Sequence, residues 1–156
     1  MPGSLWVSVP YREEWRTMRY LIAVLALAGA IVSMLTLRVH YSTETAPCSI
    51  NEHWDCGIVN HSSFAEIAHA PVAAVGVVGY MLLGALALLR WRFPLFLAAL
   101  VGLGFALRLT LIEEYVLGVW CLYCVISQVI IAMIALLSLG WVTMEYIGLK
   151  RAGLSA

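Results

Sequence analysis

Charge is what this chain most lacks. Only 12% of its 156 residues are charged and 63% are hydrophobic, whereas soluble domains carry about 25% charged residues. That ratio excludes an ordinary soluble domain and points to the membrane class. The formal net charge is zero, and there is no basic stripe interleaved with aromatics, so no nucleic-acid partner is expected. Internal repeats and low-complexity tracts are also absent, and the length argues for one domain. Cysteine is sparse, with four in the chain, and lysine and arginine are missing altogether from residues 40–69.

What is present is apolar sequence in four runs, 20–39, 70–89, 93–112 and 116–144, each close to or beyond the roughly 20 residues needed to cross a bilayer core. The expected fold is all-α, an integral membrane four-helix bundle. Arg12, Arg16 and Arg19 before the first run resemble the basic region of a signal peptide, but the run is long and no A-x-A cleavage site follows. It is therefore read as a spanning helix. Basic residues near span ends stay on the cytoplasmic side. Arg12, Arg16 and Arg19, then Arg90 and Arg92, then Lys150 and Arg151 put both termini and the second loop there. The expected organisation is a cytoplasmic tail at 1–17, a membrane domain at 18–146 with an outer loop at 40–69, and a cytoplasmic tail at 147–156.

The outer loop is long enough to hold structure of its own. Ser63-Phe64-Ala65-Glu66 fits the S-x-x-E capping box, which predicts a short interfacial half-helix lying over the bundle as a lid, ended by Pro71. Trp54, Phe64 and Trp120 read as aromatic anchors at the membrane boundary.

Cys48, Cys56, Cys121 and Cys124 all fall on the predicted outer side, where disulfides persist. Cys121-Leu122-Tyr123-Cys124 is a C-x-x-C at the start of the last helix. Counting 1.5 Å per residue back from Tyr146 places Cys124 about 33 Å away, at the outer edge of the core. The positive end of a helix favours a thiolate there. Cys48 and Cys56, in a loop expected to be flexible, can form a reversible disulfide and swing toward the C-x-x-C pair. Thiol–disulfide exchange then allows a relay from a soluble partner to an acceptor in the membrane. Two competing readings stand beside it: two static disulfides on a non-catalytic membrane subunit, and zinc held by Cys48, His53, Cys56 and His61. The zinc spacing is irregular and leaves the C-x-x-C unexplained, so no metal is expected. Arg108, the one charge well inside an apolar run, is either a snorkelling side chain or a group that meets a quinone oxygen or a thiolate.

The order and surroundings of these cysteines resemble the vitamin K epoxide reductase family, in particular bacterial members without a fused thioredoxin-like domain. The resemblance runs from about Met18 to Tyr146. It rests on Cys48 and Cys56, on the stretch from Cys56 through Val59 and Ser62 to Ala65, on Pro71 with Gly76 and Gly79, and on Trp120-Cys121-Leu122-Tyr123-Cys124. It implies a bundle around a quinone, ubiquinone or menaquinone, as electron acceptor. It further implies Cys124 as the cysteine that reacts with the quinone, Cys121 as its resolving partner, Cys48 and Cys56 as the shuttle, and Ser62 near the quinone or the shuttle disulfide. The implied donor is a thioredoxin-fold, DsbA-like protein outside a bacterial inner membrane. Gln128 stands where the animal enzymes carry tyrosine, and plain quinone reduction asks less of the site than epoxide reduction.

Overall fold

The computed structural model describes residues 9–42, 48–67 and 69–151. The elements are α1 (Val9–Tyr41), α2 (Cys56–Asn60), β1 (Glu66–Ile67), β2 (Ala70–Pro71), α3 (Val72–Leu88), α4 (Arg92–Ile112) and α5 (Leu122–Arg151). A 3₁₀ turn, Ser63–Ala65, precedes β1, and a π turn, Glu113–Leu117, follows α4. The architecture is all-α apart from the two-residue strands.

The four expected apolar runs are all helical over most of their length. Three helical segments, Arg16–Tyr41, Arg92–Leu117 and Leu122–Gly148, are long and apolar enough to cross a membrane. The 17 residues of α3 rise about 26 Å at 1.5 Å each, near the lower limit for a span. α1 extends back to Val9, so positions 9–17, expected as tail, are helical; Pro10 sits in the first turn, where its missing amide costs nothing. At the other end, α5 carries on to Arg151, through half of the residues 147–156 expected as C-terminal tail.

α1 packs against α3 and α5, and α4 packs against α5 and more lightly against α3, closing a ring of four helices. Their shared core includes Ile22, Ala26, Leu83, Leu95, Ile134 and Trp141. Gly29 lets α1 approach α3 closely, since a Cβ there would fall within the Tyr80 ring. Tyr80 spans the ring of helices and donates to the Ser127 carbonyl at 2.7 Å. The outward surface is apolar, with Val24, Val78, Val101 and Leu136 all exposed, as expected of helices solvated by lipid rather than water. At the end of the bundle that holds the α3–α4 turn, Arg92 pairs with Glu145 and lies over the Trp141 ring, 5.4 Å from its centroid.

At the opposite end the chain is bound down rather than free to swing. Asn51 Oδ1 accepts from the His53 and Trp54 amides. Asp55 caps α2, its carboxylate accepting from the Gly57 and Ile58 amides. Trp54 forms a parallel bridge with Trp120, in which the Trp120 amide donates to His53 at 2.8 Å and the Asp55 amide donates to Trp120 at 3.1 Å. The two indoles expected as membrane anchors thus sit 6.2 Å apart across this bridge.

The expected half-helix at Ser63 does not form. Ser62 precedes a single 3₁₀ turn and makes no side-chain cap bond, and Glu66 leaves in extended geometry. The chain then reverses, with His69 at φ 67°, so that β1 pairs antiparallel with β2. The Glu66 carboxylate faces His40 at 3.6 Å instead of reaching back to a helix N-terminus.

Candidate redox site

A second apolar cluster lies at the stitched end of the bundle and contains Val39, Cys48, Cys56, Val59, Val119 and Cys121, with Cys124 packed against it. All four cysteines are therefore brought together. Cys48 and Cys56 are joined in a disulfide, with Cα atoms 5.7 Å apart, and both are buried. Cys121 and Cys124 are free thiols.

The C-x-x-C motif occupies the start of α5. Cys121 is the residue before the first helical position, and its sulfur accepts the Cys124 amide at 3.3 Å, the bond a capping side chain makes to an otherwise unpaired amide. Asn60 approaches the same sulfur at 3.7 Å, while donating to the Cys56 carbonyl at 2.8 Å. Asn60 thus touches both the disulfide-bearing helix and the free thiol pair. The Cys124 thiol and amide, donating toward the Cys121 sulfur, hold the Cys121 thiol below its ordinary value, against opposing contributions from burial and from Glu113. A sulfur poised toward thiolate attacks disulfides faster than an ordinary thiol at neutral pH.

Glu113 comes to this point through the π turn. The widened turn and the left-handed Gly118 (φ 65°) that ends it break what hydropathy reads as continuous apolar helix from 116 onward. Glu113 is buried, and its Oε2 accepts the Cys121 amide at 3.1 Å. One carboxylate oxygen of Glu113 and the sulfurs of Cys121 and Cys124 all lie within 4.8 Å of one another. Those three could also converge on a cation, but the Cys121 sulfur faces N–H donors, the environment of an anionic sulfur.

Beside the thiols a cavity of about 610 Å³ opens among the helices. Its walls are mostly apolar, and Cys124, Glu113, Ser62, Ser33 and Ser127 are among the polar or reactive groups that line it. Ser62, in the wall, donates its hydroxyl to the Val59 carbonyl at 2.7 Å. Phe64, Ala65 and Ile67 line the cavity too, so the segment expected as a helical lid meets it as a turn and a strand.

Arg108 does not join the site. It lies on an exposed face of α4 and is not among the cavity-lining residues, as a snorkelling side chain would be placed. The zinc set is not assembled either. Cys48 and Cys56 are spent in their disulfide, His53 is exposed, and His61 uses Nδ1 on the Gly57 carbonyl at 2.8 Å.

Two residues at the centre of the site, Asn60 and Glu113, were not singled out from sequence. Asn60 carried no pattern that could have raised it. Glu113 did: an ionisable side chain next to a membrane span is a functional candidate by default, a rule applied above to Arg108 alone. Residues 20–139 match the model of the Vitamin K epoxide reductase family, so the chain belongs to that family of membrane oxidoreductases acting on disulfides and quinones.

Proposed function

We propose that the protein oxidises the dithiol of a thioredoxin-fold partner on the outer side of a bacterial inner membrane and passes the electron pair to ubiquinone or menaquinone. Disulfide formation in exported proteins would draw on this activity. The observation that carries the reading is the continuity of the sulfur path. A disulfide, an asparagine in contact with both cysteine-bearing elements, and a free C-x-x-C pair lie in one buried cluster, and the last thiol of the series, Cys124, opens onto the cavity.

The cavity fits a quinone ring in size and in chemistry: about 610 Å³, within the range of small-molecule sites, largely apolar, with a thiol and a carboxyl at one side. A quinone bound there supplies a two-electron, two-proton acceptor. This chain's residues do the rest. Cys48, as the family resemblance implies, takes the partner's attack, and the resulting exchange leaves Cys48 and Cys56 reduced. Cys56 then reduces a Cys121–Cys124 disulfide through attack on Cys121. The Cys124 amide and Asn60 steady negative charge on Cys121 as it leaves or attacks. Cys121 and Cys124 surrender two electrons to the acceptor as their disulfide re-forms. Static disulfides on a non-catalytic subunit would account for the Cys48–Cys56 bond, but not for a free thiol pair of which one member, Cys124, lines a cavity. Arg12, Arg16 and Arg19 near one end of the sequence and Lys150 and Arg151 near the other support cytoplasmic termini.

The test is quinone reduction by the purified protein in detergent with a reduced thioredoxin-fold donor. Cys124→Ser is expected to abolish turnover while the protein still folds. Retained turnover in that variant contradicts the assignment.

A further inference from the structure

We propose that Glu113 is the proton carrier of this site, taking the proton from the Cys124 thiol and handing it to the oxygen of the reduced acceptor. The inference rests on the quinone-reducing reading above and adds a catalytic residue to it. Three observations converge on it. Glu113 is 3% exposed and has no salt-bridge partner among the described residues. Its carboxylate reaches both thiols, with the three ligand atoms within 4.8 Å of one another. It also lines the cavity, and among the described residues it is the only carboxyl group that does so.

Burying a lone carboxylate is expensive, and a purely structural acceptor for the Cys121 amide could be a neutral side chain. A carboxyl that reaches a reacting thiol and a substrate cavity together has the geometry of a general acid–base. The π turn is the backbone device that aims it there; such turns recur at functional sites.

The step balances as follows. The two thiols of Cys121 and Cys124 lose two protons and two electrons, their S–H bonds break, and one S–S bond forms between them. The quinone gains both electrons and both protons and leaves as the hydroquinone. Glu113 starts as carboxylate, takes the Cys124 proton and delivers it to one oxygen, then takes the Cys121 proton and delivers it to the other. It ends as carboxylate, so no further oxidant or reductant is required.

The test is steady-state reduction of ubiquinone-1 by the full-length protein in detergent, with dithiothreitol as reductant. Glu113→Gln, whose amide oxygen can still accept the Cys121 amide, is expected to lower kcat by about 100-fold or more. Glu113→Asp, which keeps a carboxyl, should recover at least roughly tenfold of that loss. Glu114→Gln, at the exposed neighbouring position, should match wild type. Thiol counting before and after dithiothreitol must show the Cys48–Cys56 disulfide formed and reducible in each variant, which separates a proton-transfer defect from misfolding. Wild-type rates in Glu113→Gln, or equal losses in the Gln and Asp variants, overturn the proposal while leaving the redox reading intact. If wild type itself reduces no quinone, or Cys124→Ser reduces it as well as wild type does, the underlying reading falls and the proposal with it.

Discussion

Replacing Asp55 with alanine should loosen the outer loop by an amount the structure allows to be worked out. The Asp55 carboxylate accepts from Ser49 Oγ at 2.8 Å, the Gly57 amide at 2.8 Å and the Ile58 amide at 3.1 Å. It holds the start of α2, and with it Cys56. Solvent screens a carboxylate this close to the surface, so the lost cap sets the cost at about 1 kcal/mol. That raises the open fraction of the loop about fivefold. Amide hydrogen exchange over 56–61, followed by mass spectrometry, should show protection falling by the same factor. Asp55→Asn, which keeps a capping oxygen, should lose less. The pH dependence has a definite sign. The Ser49 hydroxyl, with the Gly57 and Ile58 amides, holds the Asp55 carboxyl below its ordinary 3.8. Its stabilisation is therefore complete above that value and disappears as the pH falls through the lower, folded-state value. The gap between wild type and Asp55→Ala should narrow as the pH is taken below 3.8. Unchanged protection at neutral pH, or a gap that widens in acid, refutes the reasoning.

Two further substitutions test the neighbouring geometry. Asn60→Leu strips the Cys56 carbonyl of its side-chain donor and should cost about 0.5–1.5 kcal/mol, read as a lower Tm. It also removes a donor from the Cys121 sulfur, so the pH profile of Cys121 alkylation should move to higher pH; an unmoved profile argues against Asn60 acting on that thiol. Gly118→Ala forces a side chain into the left-handed region and should cost about 1–2 kcal/mol, whereas Gly118→Asn should cost less. Equal Tm values for all three proteins would mean the turn does not demand that backbone conformation.

The parts of the fold that depend on composition were legible in the sequence. Hydropathy located the four helices because lipid-facing and core-facing positions are both apolar, so no face has to be identified first. The C-x-x-C could be put at a helix start because span length alone sets that end. What sequence misread were features created by long-range pairing or by a change in backbone class. The last apolar run was drawn from residue 116, six residues ahead of the helix start at Leu122, since neither a π turn nor a left-handed glycine alters hydropathy. The Ser63–Glu66 capping box satisfied a local pattern, but Glu66 is claimed by pairing with residues beyond a reversal at His69. Cys48 and Cys56 looked tethered to a free loop because their spacing carries no trace of the Trp54–Trp120 bridge. Arg108 drew notice as a charge within a run, while Glu113, at the run's edge, is turned inward only by the widened turn.

The burial of Cys48, only 2% exposed, has a kinetic consequence. A donor cannot strike a sulfur it does not touch, so the observed exchange rate is the intrinsic rate multiplied by the fraction of time the loop stands open. An opening that costs about 3 kcal/mol slows every reductant by roughly 150-fold. A protein that docks on the loop and favours its open form regains that factor, and a small thiol does not. On the proposed relay, the bridge through Trp120 and the cap at Asp55 would act as a turnstile, separating reductants by whether they can hold the loop open while they react.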